Sequence, residues 1–178
     1  MPRRRGINIR KMTQCSLFAA LLAICGWISV PMGDVAITLQ TFGIFLTLGL
    51  LGGKWGTAAI GVYLAMGAVG LPVFSGFRGG LGMLLGATGG YIGGFLLIGA
   101  AYWLVTALGK GRWGLWGCIL GLVLCYAAGT LWFYFAYLKT ESISLGAVLA
   151  KCVLPYLLPD GMKLWIARLL TGRMKAFV

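Results

Sequence analysis

An aspartate and a lysine three residues apart, Asp160 and Lys163, stand out in the apolar segment LPYLLPDGMKLWIAR. Residues at positions i and i+3 lie on the same face of a helix, so these side chains can form an ion pair. Pro159, just before the aspartate, suits the first turn of a helix. One interpretation is a local ion pair with a helix N-cap. The other is a ligand site, because ionisable groups within membrane segments are costly and usually functional.

The composition indicates that this segment does lie in a membrane. Of the 178 residues, 60% are hydrophobic and only 10% are charged, whereas a soluble domain carries about 25% charged residues. The net charge is +12, but the sequence offers no polar face on which nucleic acid could bind. The positive charge is therefore interpreted as a sign of membrane topology. The chain has no histidine and only three acidic residues. We therefore expect no enzymatic activity, no metal site and no cofactor.

Six apolar segments are candidates to cross the bilayer, since a span needs about 20 apolar residues. They comprise residues 13–30, 39–51, 55–71, 83–108, 113–138 and 154–171. A shorter segment, residues 142–153, predicts a short helix, with Pro155 and Pro159 breaking the path into the last span. We expect an all-α polytopic membrane protein with six transmembrane helices. Residues 1–178 then form a single membrane domain, and the basic segment 1–12 stays in the cytoplasm.

The basic residues indicate the orientation of these spans. Basic residues collect in loops that remain in the cytoplasm. With six spans and a cytoplasmic N-terminus, eleven of the fifteen lysines and arginines fall inside and four fall outside or in the outer half. This distribution favours two cytoplasmic termini. Ile24 is too bulky for the residue before a lipoprotein cleavage site at Cys25, so the first apolar segment is expected to stay as a membrane helix rather than to be a cleaved signal peptide.

In this arrangement, three further polar stretches meet Asp160 and Lys163 at the outer face, which predicts a shared pocket there. Arg78 lies among glycines and can offer a fork of donors to an anion. Polar side chains can bond a ligand, and aromatic side chains can form walls for an apolar ring. The candidates in these stretches are Gln40, Phe42, Phe74, Arg78, Thr88, Gly89 and Tyr91.

Four motifs in these stretches carry a family resemblance over nearly the whole chain. They are Ile37-Thr-Leu-Gln-Thr-Phe42, Gly70-Leu-Pro-Val-Phe74 with the glycine-rich loop to Gly80, Thr88-Gly-Gly-Tyr91, and Asp160-x-x-Lys163. With them the chain resembles the BioY family, the biotin-binding S components of the energy-coupling factor (ECF) transporters. The resemblance implies a protein of a prokaryotic cell membrane that captures biotin from outside.

The resemblance also implies roles and partners. A membrane scaffold subunit (T component) and two cytoplasmic ATPases would energise uptake, and the scaffold would dock on Ala19 and Ala23 of an Ala-x-x-x-Ala motif. Ordinary close packing of helices is the alternative for that motif. Asp160 would accept hydrogen bonds from the ureido ring of biotin, which would supply hydrogens that the carboxylate lacks. Whether Lys163 or Arg78 meets the biotin carboxylate stays open. An S component for another small vitamin and a stand-alone facilitator are the alternative functions.

Overall fold

The computed structural model describes residues 9–31, 35–109, 113–137 and 145–175. Helices account for most of these residues, and a two-stranded antiparallel pair, β1 (Ser29–Val30) with β2 (Ile37–Thr38), lies between the first two. The helices are α1 (Ile9–Trp27), α2 (Gln40–Ala68), α3 (Leu81–Leu85), α4 (Gly89–Leu108), α5 (Gly114–Tyr137), α6 (Leu145–Cys152) and α7 (Leu154–Met174). The all-α prediction is confirmed. Several basic residues that set the predicted orientation lie outside the described residues, among them Arg3, Lys110, Arg112 and Lys139, and so does the acidic Asp34.

Four helices are long and apolar enough to cross a membrane. They are α1, α2, α4 and, within α5, Gly114–Ala136. Their length and composition agree with the expectation of a helical membrane protein. Many large apolar side chains on these helices are exposed, for example Leu104 and Trp116. Exposure of this kind is ordinary for helices whose outer faces contact lipid.

Helix α2 is a hairpin rather than one straight rod. Gly52 has φ 77° and ψ 175°, a conformation that is not helical. Two contacts show that the chain reverses there. Leu48 lies directly against Gly56, and the Gln40 side chain reaches the Tyr63 hydroxyl. The two arms, residues 40–51 and 53–68, correspond to the second and third predicted segments. A backbone with this φ and ψ is nearly exclusive to glycine.

The hairpin α2 forms the centre of the structure, with α1, α4 and α7 packed on it and α5 packed on α4. Glycines let these helices approach closely, as expected for membrane helices. Gly43 faces Leu22 and Cys25 across the α1–α2 contact, and Gly121 faces Ile98 across the α4–α5 contact. The resulting core holds α7 beside the starting arm of α2, which positions Asp160 and Lys163.

Two expectations about the last helix are corrected by its boundaries. The short helix α6 exists, but only Val153 (φ −121°, ψ −55°) interrupts the path to α7, and Pro155 occupies the first turn of that helix. Pro159 lies inside α7 and does not end it. Asp160 therefore lies beyond the first turn of the helix, so the N-cap interpretation was wrong. The carboxylate must instead find partners on other helices.

Replacing Gly52 by alanine tests the hairpin. A Cβ at Gly52 meets no atom within 4 Å, so the cost comes from backbone strain alone, on the order of 1–3 kcal/mol. We expect Gly52→Ala to lower the midpoint of thermal unfolding in detergent. Gly61→Ala is the matched control, because Gly61 lies in the same helix and its Cβ also meets nothing within 4 Å, without a positive φ. Equal stability of the two variants would contradict this account.

Candidate ligand cavity

A cavity of about 420 Å³ lies between the start of the α2 hairpin and helices α4, α5 and α7. This volume is within the usual range of small-molecule sites, about 300–1,000 Å³. The predicted residues that line it are Gln40, Phe74, Arg78, Thr88, Tyr91, Asp160 and Lys163. Four separate stretches of the sequence therefore meet at one cavity, as expected.

Asp160 joins three helices at the wall of this cavity. Its side chain is 5% exposed. Oδ1 accepts hydrogen bonds from the Thr41 hydroxyl of α2 at 2.8 Å and from Lys163 Nζ at 2.7 Å, and Oδ2 accepts one from the Tyr126 hydroxyl of α5 at 2.6 Å. A buried carboxylate is tolerated when it is paired and hydrogen-bonded in this way.

This network corrects the expectation that Asp160 lacks hydrogens until a ligand arrives. Three internal donors already satisfy the carboxylate, and a carboxylate has about four lone-pair sites. One site is left for a ligand, and Oδ2, which accepts only from Tyr126, is the oxygen with spare capacity. A ligand would complete the carboxylate's hydrogen bonding rather than rescue an unpaired charge.

Lys163 supplies the charge that balances Asp160. Besides its ion pair, its Nζ donates to Thr41 Oγ1 at 3.3 Å. An ammonium has three donors, so one N–H remains beyond these two bonds, and Lys163 lines the cavity. The side chain is 12% exposed, and the stem passes between α7 and α2. Asp160 and Lys163 together can offer one acceptor and one donor to the same polar group.

A second polar chain begins at Gln40. Its amide nitrogen donates to the Tyr63 hydroxyl, which in turn donates to the Val73 carbonyl at 3.2 Å. The Thr38 hydroxyl donates to Gln40 Oε1 at 3.0 Å. These bonds tie both arms of the hairpin to the loop that follows it. They fix the orientation of the Gln40 amide, and both Thr38 and Gln40 line the cavity.

The loop after the hairpin contributes the mouth of the cavity. Phe74 N–H donates to the Arg78 carbonyl at 2.9 Å, which closes a tight loop with positive φ at Gly76 and Phe77. Phe74 is buried, whereas Arg78 is exposed and still lines the cavity. The Phe77 ring lies outside and stacks on Trp27, with 5.1 Å between ring centroids. The guanidinium is thus available to an anion at the mouth of the cavity.

Aromatic and aliphatic side chains form the remaining wall. Phe74, Tyr91 and Phe95 are buried and reach the cavity. The Tyr91 hydroxyl pairs with Thr130 Oγ1 at 3.2 Å, and its ring lies over Gly129, where a Cβ would overlap it. Such a wall suits a compact apolar ring, which leaves the polar groups to orient the ligand.

Two predicted residues do not reach the cavity. Phe42 is partly buried against the main core, and its side chain is not among those lining the cavity. Gly89 begins α4 next to Leu84, where a Cβ would overlap the Leu84 carbonyl. Gly89 therefore lets α3 and α4 meet closely.

The two alanines of the proposed docking motif are also inside. Ala19 is 1% exposed and Ala23 is 5% exposed, and both belong to the hydrophobic core that α1 shares with the hairpin. In this structure they contribute to close packing within the chain. A partner could reach them only by displacing that packing.

Sequence reasoning missed Tyr126, which holds Asp160 from the opposite side. Tyr156 was also missed; it lines the cavity and donates its hydroxyl hydrogen to the Val35 carbonyl. Tyr126 lies in an apolar segment without a polar neighbour that could mark it, whereas Tyr156 lies four residues before Asp160 and hence on the same helix face. For Tyr126 the only available signal was that a tyrosine within a span must find a partner for its hydroxyl.

Comparisons with known proteins identify the family. The sequence profile of the BioY family matches residues 1–178. The chain is 38% identical over 170 residues to "Biotin transporter BioY" of Thermotoga maritima, with 94% of this chain and 96% of that protein covered. It is 34% identical over 169 residues to "Probable biotin transporter BioY" of Pyrococcus horikoshii, with 95% and 98% covered.

A solved structure has the same fold. It is described as the S-component for biotin from an ECF-type ABC transporter, with a TM-score of 0.84 and 26% identity over 99% of this chain and 96% of that one. The S component of a bacterial ECF transporter shares the fold at a TM-score of 0.57 and 16% identity, over 96% of this chain and 98% of that one. These relatives are transport proteins rather than enzymes, and the apolar helices agree with a multi-pass membrane protein. The chain belongs to the BioY family.

Proposed function

We propose that this chain is the high-affinity biotin-binding S component of an ECF-type vitamin uptake transporter. The observation that carries the proposal is the cavity that joins Asp160 and Lys163 to an apolar wall in a chain of the BioY family. Capture needs no bond to be made or broken. The alternatives are an S component for another small vitamin and a stand-alone facilitator.

The chemistry of biotin matches the distribution of groups in the cavity. The ureido ring has two N–H donors and one carbonyl, so it can donate to Asp160 Oδ2 and accept from the free N–H of Lys163. A charge-assisted bond of this kind is short and strong. The fused sulfur ring would then lie against Phe74, Phe95 and Tyr91. Gln40 and Thr88 line the same cavity and would complete the polar contacts.

The biotin carboxylate would lie at the mouth, beside Arg78. A second carboxylate next to Asp160 would be repelled by a like charge of low solvation, which favours the distant end of the cavity. Arg78 is exposed there and can bind a carboxylate with two parallel hydrogen bonds. This arrangement orients the vitamin with its rings inward and its charged tail outward.

The proposed membrane arrangement has six spans in a prokaryotic cell membrane, formed by α1, the two arms of α2, α4, α5 and α7, with both termini in the cytoplasm. Asp160 and Arg78 then open toward the outside. The turn at Gly52 and the end of α7 would face the cytoplasm, where Lys54 and Arg173 lie. Basic residues on the cytoplasmic side agree with the usual charge asymmetry of membrane proteins.

The proposed partners are a T component in the membrane and two cytoplasmic ATPases. The sequence contains no P-loop motif of its own, so ATP-driven uptake needs another chain to hydrolyse the nucleotide. The T component would contact exposed parts of the chain, because Ala19 and Ala23 are buried. The S component would hold the vitamin, and the partners would supply the energy for its release inward.

Removal of the carboxylate charge is the first test of this function. Asp160→Asn should weaken biotin binding on the order of 100-fold or more, since truncating a buried charged partner has effects of this size. Isothermal titration calorimetry on the detergent-purified chain measures it. Asp160→Asn leaves the partly buried Lys163 ammonium without its ion-pair partner. The double variant Asp160→Asn/Lys163→Gln removes both charges and so separates the loss of the carboxylate from the effect of an unpaired lysine.

The control uses two tyrosines of α5. Tyr126→Phe should weaken binding roughly tenfold, because it removes one hydrogen bond to a charged acceptor. Tyr134→Phe should leave binding unchanged, because the Tyr134 hydroxyl has no hydrogen-bond partner among the described residues. Unaltered biotin affinity in both aspartate variants would refute the role of Asp160.

The orientation of biotin is tested by comparing biotin with its neutral amide. Arg78→Gln should weaken biotin binding roughly tenfold, the size of one charged hydrogen bond, and leave the affinity for biotinamide unchanged. The same calorimetric titration measures both ligands. If Lys163→Gln distinguishes biotin from biotinamide and Arg78→Gln does not, the carboxylate lies at the inner end and the proposed orientation is wrong.

Reconstitution separates the S component from a facilitator. Vesicles that contain this chain with its T component and ATPases should accumulate labelled biotin only when ATP is supplied. Vesicles with the chain alone should bind the label at the membrane without accumulation. Biotin equilibration by the chain alone, abolished by Asp160→Asn, would favour the facilitator instead.

A further inference from the structure

A second concavity lies at the opposite end of the helices from the Asp160 cavity. It is a cleft of about 280 Å³ between α2, α4, α5 and α7. Its lining includes Gly49, which is close to the turn of the hairpin, and Gly114, at the start of α5. The residues that line it are Phe45, Gly49, Tyr102, Gly114, Leu115, Cys118, Leu164, Arg168, Thr171, Gly172 and Lys175.

The cleft results from how the helices pair. Helix α7 packs on α2, where a Cβ on Gly49 would overlap Thr171, and α5 packs on α4, where Gly117 approaches Tyr102. Within the described part of the chain, α5 and α7 contact each other little. Tyr126 and Asp160 bridge them at the outer end. At the other end the gap between them stays open.

Two cations face this gap with no counter-charge among the described residues. Arg168 lies in α7, and Lys175 caps the end of that helix with helical φ and ψ. The two are seven residues apart, which is two helical turns and hence one face. Both are exposed, and neither has a hydrogen bond or ion pair with a described residue. Asp160, the one acidic residue in the described ranges, is occupied by Lys163. The Tyr102 hydroxyl has no hydrogen-bond partner among the described residues either.

The surroundings place the cleft at the level of lipid headgroups. Trp103, Trp113 and Trp116 are exposed around the end of α4 and the start of α5, and tryptophans concentrate at the membrane–water interface. Leu115 and Leu164 also line the cleft and give it an apolar wall. A phosphate beside the cations and an acyl chain against the leucines would match this division of polar and apolar groups.

We propose that the cleft binds an anionic glycerophospholipid, with its phosphate between Arg168 and Lys175 and its first acyl segment against Leu115 and Leu164. Tyr102 donates a hydrogen bond to a phosphate oxygen. Basic clefts between membrane helices on the cytoplasmic side bind such headgroups. A zwitterionic lipid fits less well, because the described residues offer no free carboxylate for its ammonium group. The site rests on the membrane orientation proposed above and not on the identity of the vitamin.

Native mass spectrometry of the detergent-purified chain tests the site. Dihexanoyl-phosphatidylglycerol should bind at one site, and dihexanoyl-phosphatidylcholine and inorganic phosphate should bind far more weakly. Arg168→Gln/Lys175→Gln should weaken phosphatidylglycerol binding about 25-fold, at about fivefold for each basic residue near an anionic headgroup. Calorimetry should show unchanged biotin affinity in this variant, because the cavity lies at the other end.

The matched control variant also removes two positive charges from this end of the molecule. Lys54→Gln/Arg173→Gln changes two exposed cations outside the cleft and should retain lipid binding. Lys175→Gln alone, at the exposed end of α7, serves if the double variant does not fold and should cost about fivefold. Equal losses in the cleft and control variants would overturn the site. Equal binding of phosphatidylcholine or of inorganic phosphate would overturn the headgroup assignment.

Discussion

The Asp160 carboxylate holds the cavity end of the structure together. Its two oxygens bind Thr41 on the hairpin, Tyr126 on α5 and Lys163 on its own helix. Because α5 and α7 contact each other little elsewhere, the bond from Tyr126 is their direct link at the cavity. A charge buried in an apolar chain persists only when such partners satisfy it. The carboxylate thus shapes the cavity before any ligand binds.

A preformed network changes how a ligand can bind. An unpaired buried carboxylate would be expensive in the empty protein, and it would make the empty and loaded forms differ greatly in stability. With three donors in place, the ligand meets an acceptor that is already oriented, so little side-chain ordering accompanies binding. Gln40 is held in the same way through Tyr63 and Val73. Tight capture then depends on complementarity with groups that are already fixed.

The sequence predicted the helices and most of the cavity for one physical reason. In a chain with only 10% charged residues, a polar side chain within a span needs a hydrogen-bond partner or a ligand, so Gln40 and Asp160 are conspicuous. Arg78 is conspicuous as a cation in a glycine-rich loop between spans. The direction in which a side chain points is not visible in the sequence. Phe42 and Phe74 have the same side chain, and only tertiary packing decides that one reaches the cavity. Tyr126 was not predicted because α5 is apolar around its whole circumference.

Small residues show the same ambiguity at the level of helices. An Ala-x-x-x-Ala motif brings two helices together, whether the second helix belongs to the same chain or to a partner. Ala19 and Ala23 are buried within the chain, so their spacing reflects the packing of α1 on the hairpin.

Helix α7 and its C-terminal cap carry charged residues at both ends of the structure. Asp160 and Lys163 form an ion pair, whereas Arg168 and Lys175 have no carboxylate near them among the described residues. A paired cation helps to build the protein, and an unpaired cation beside a cleft is free to bind an anion.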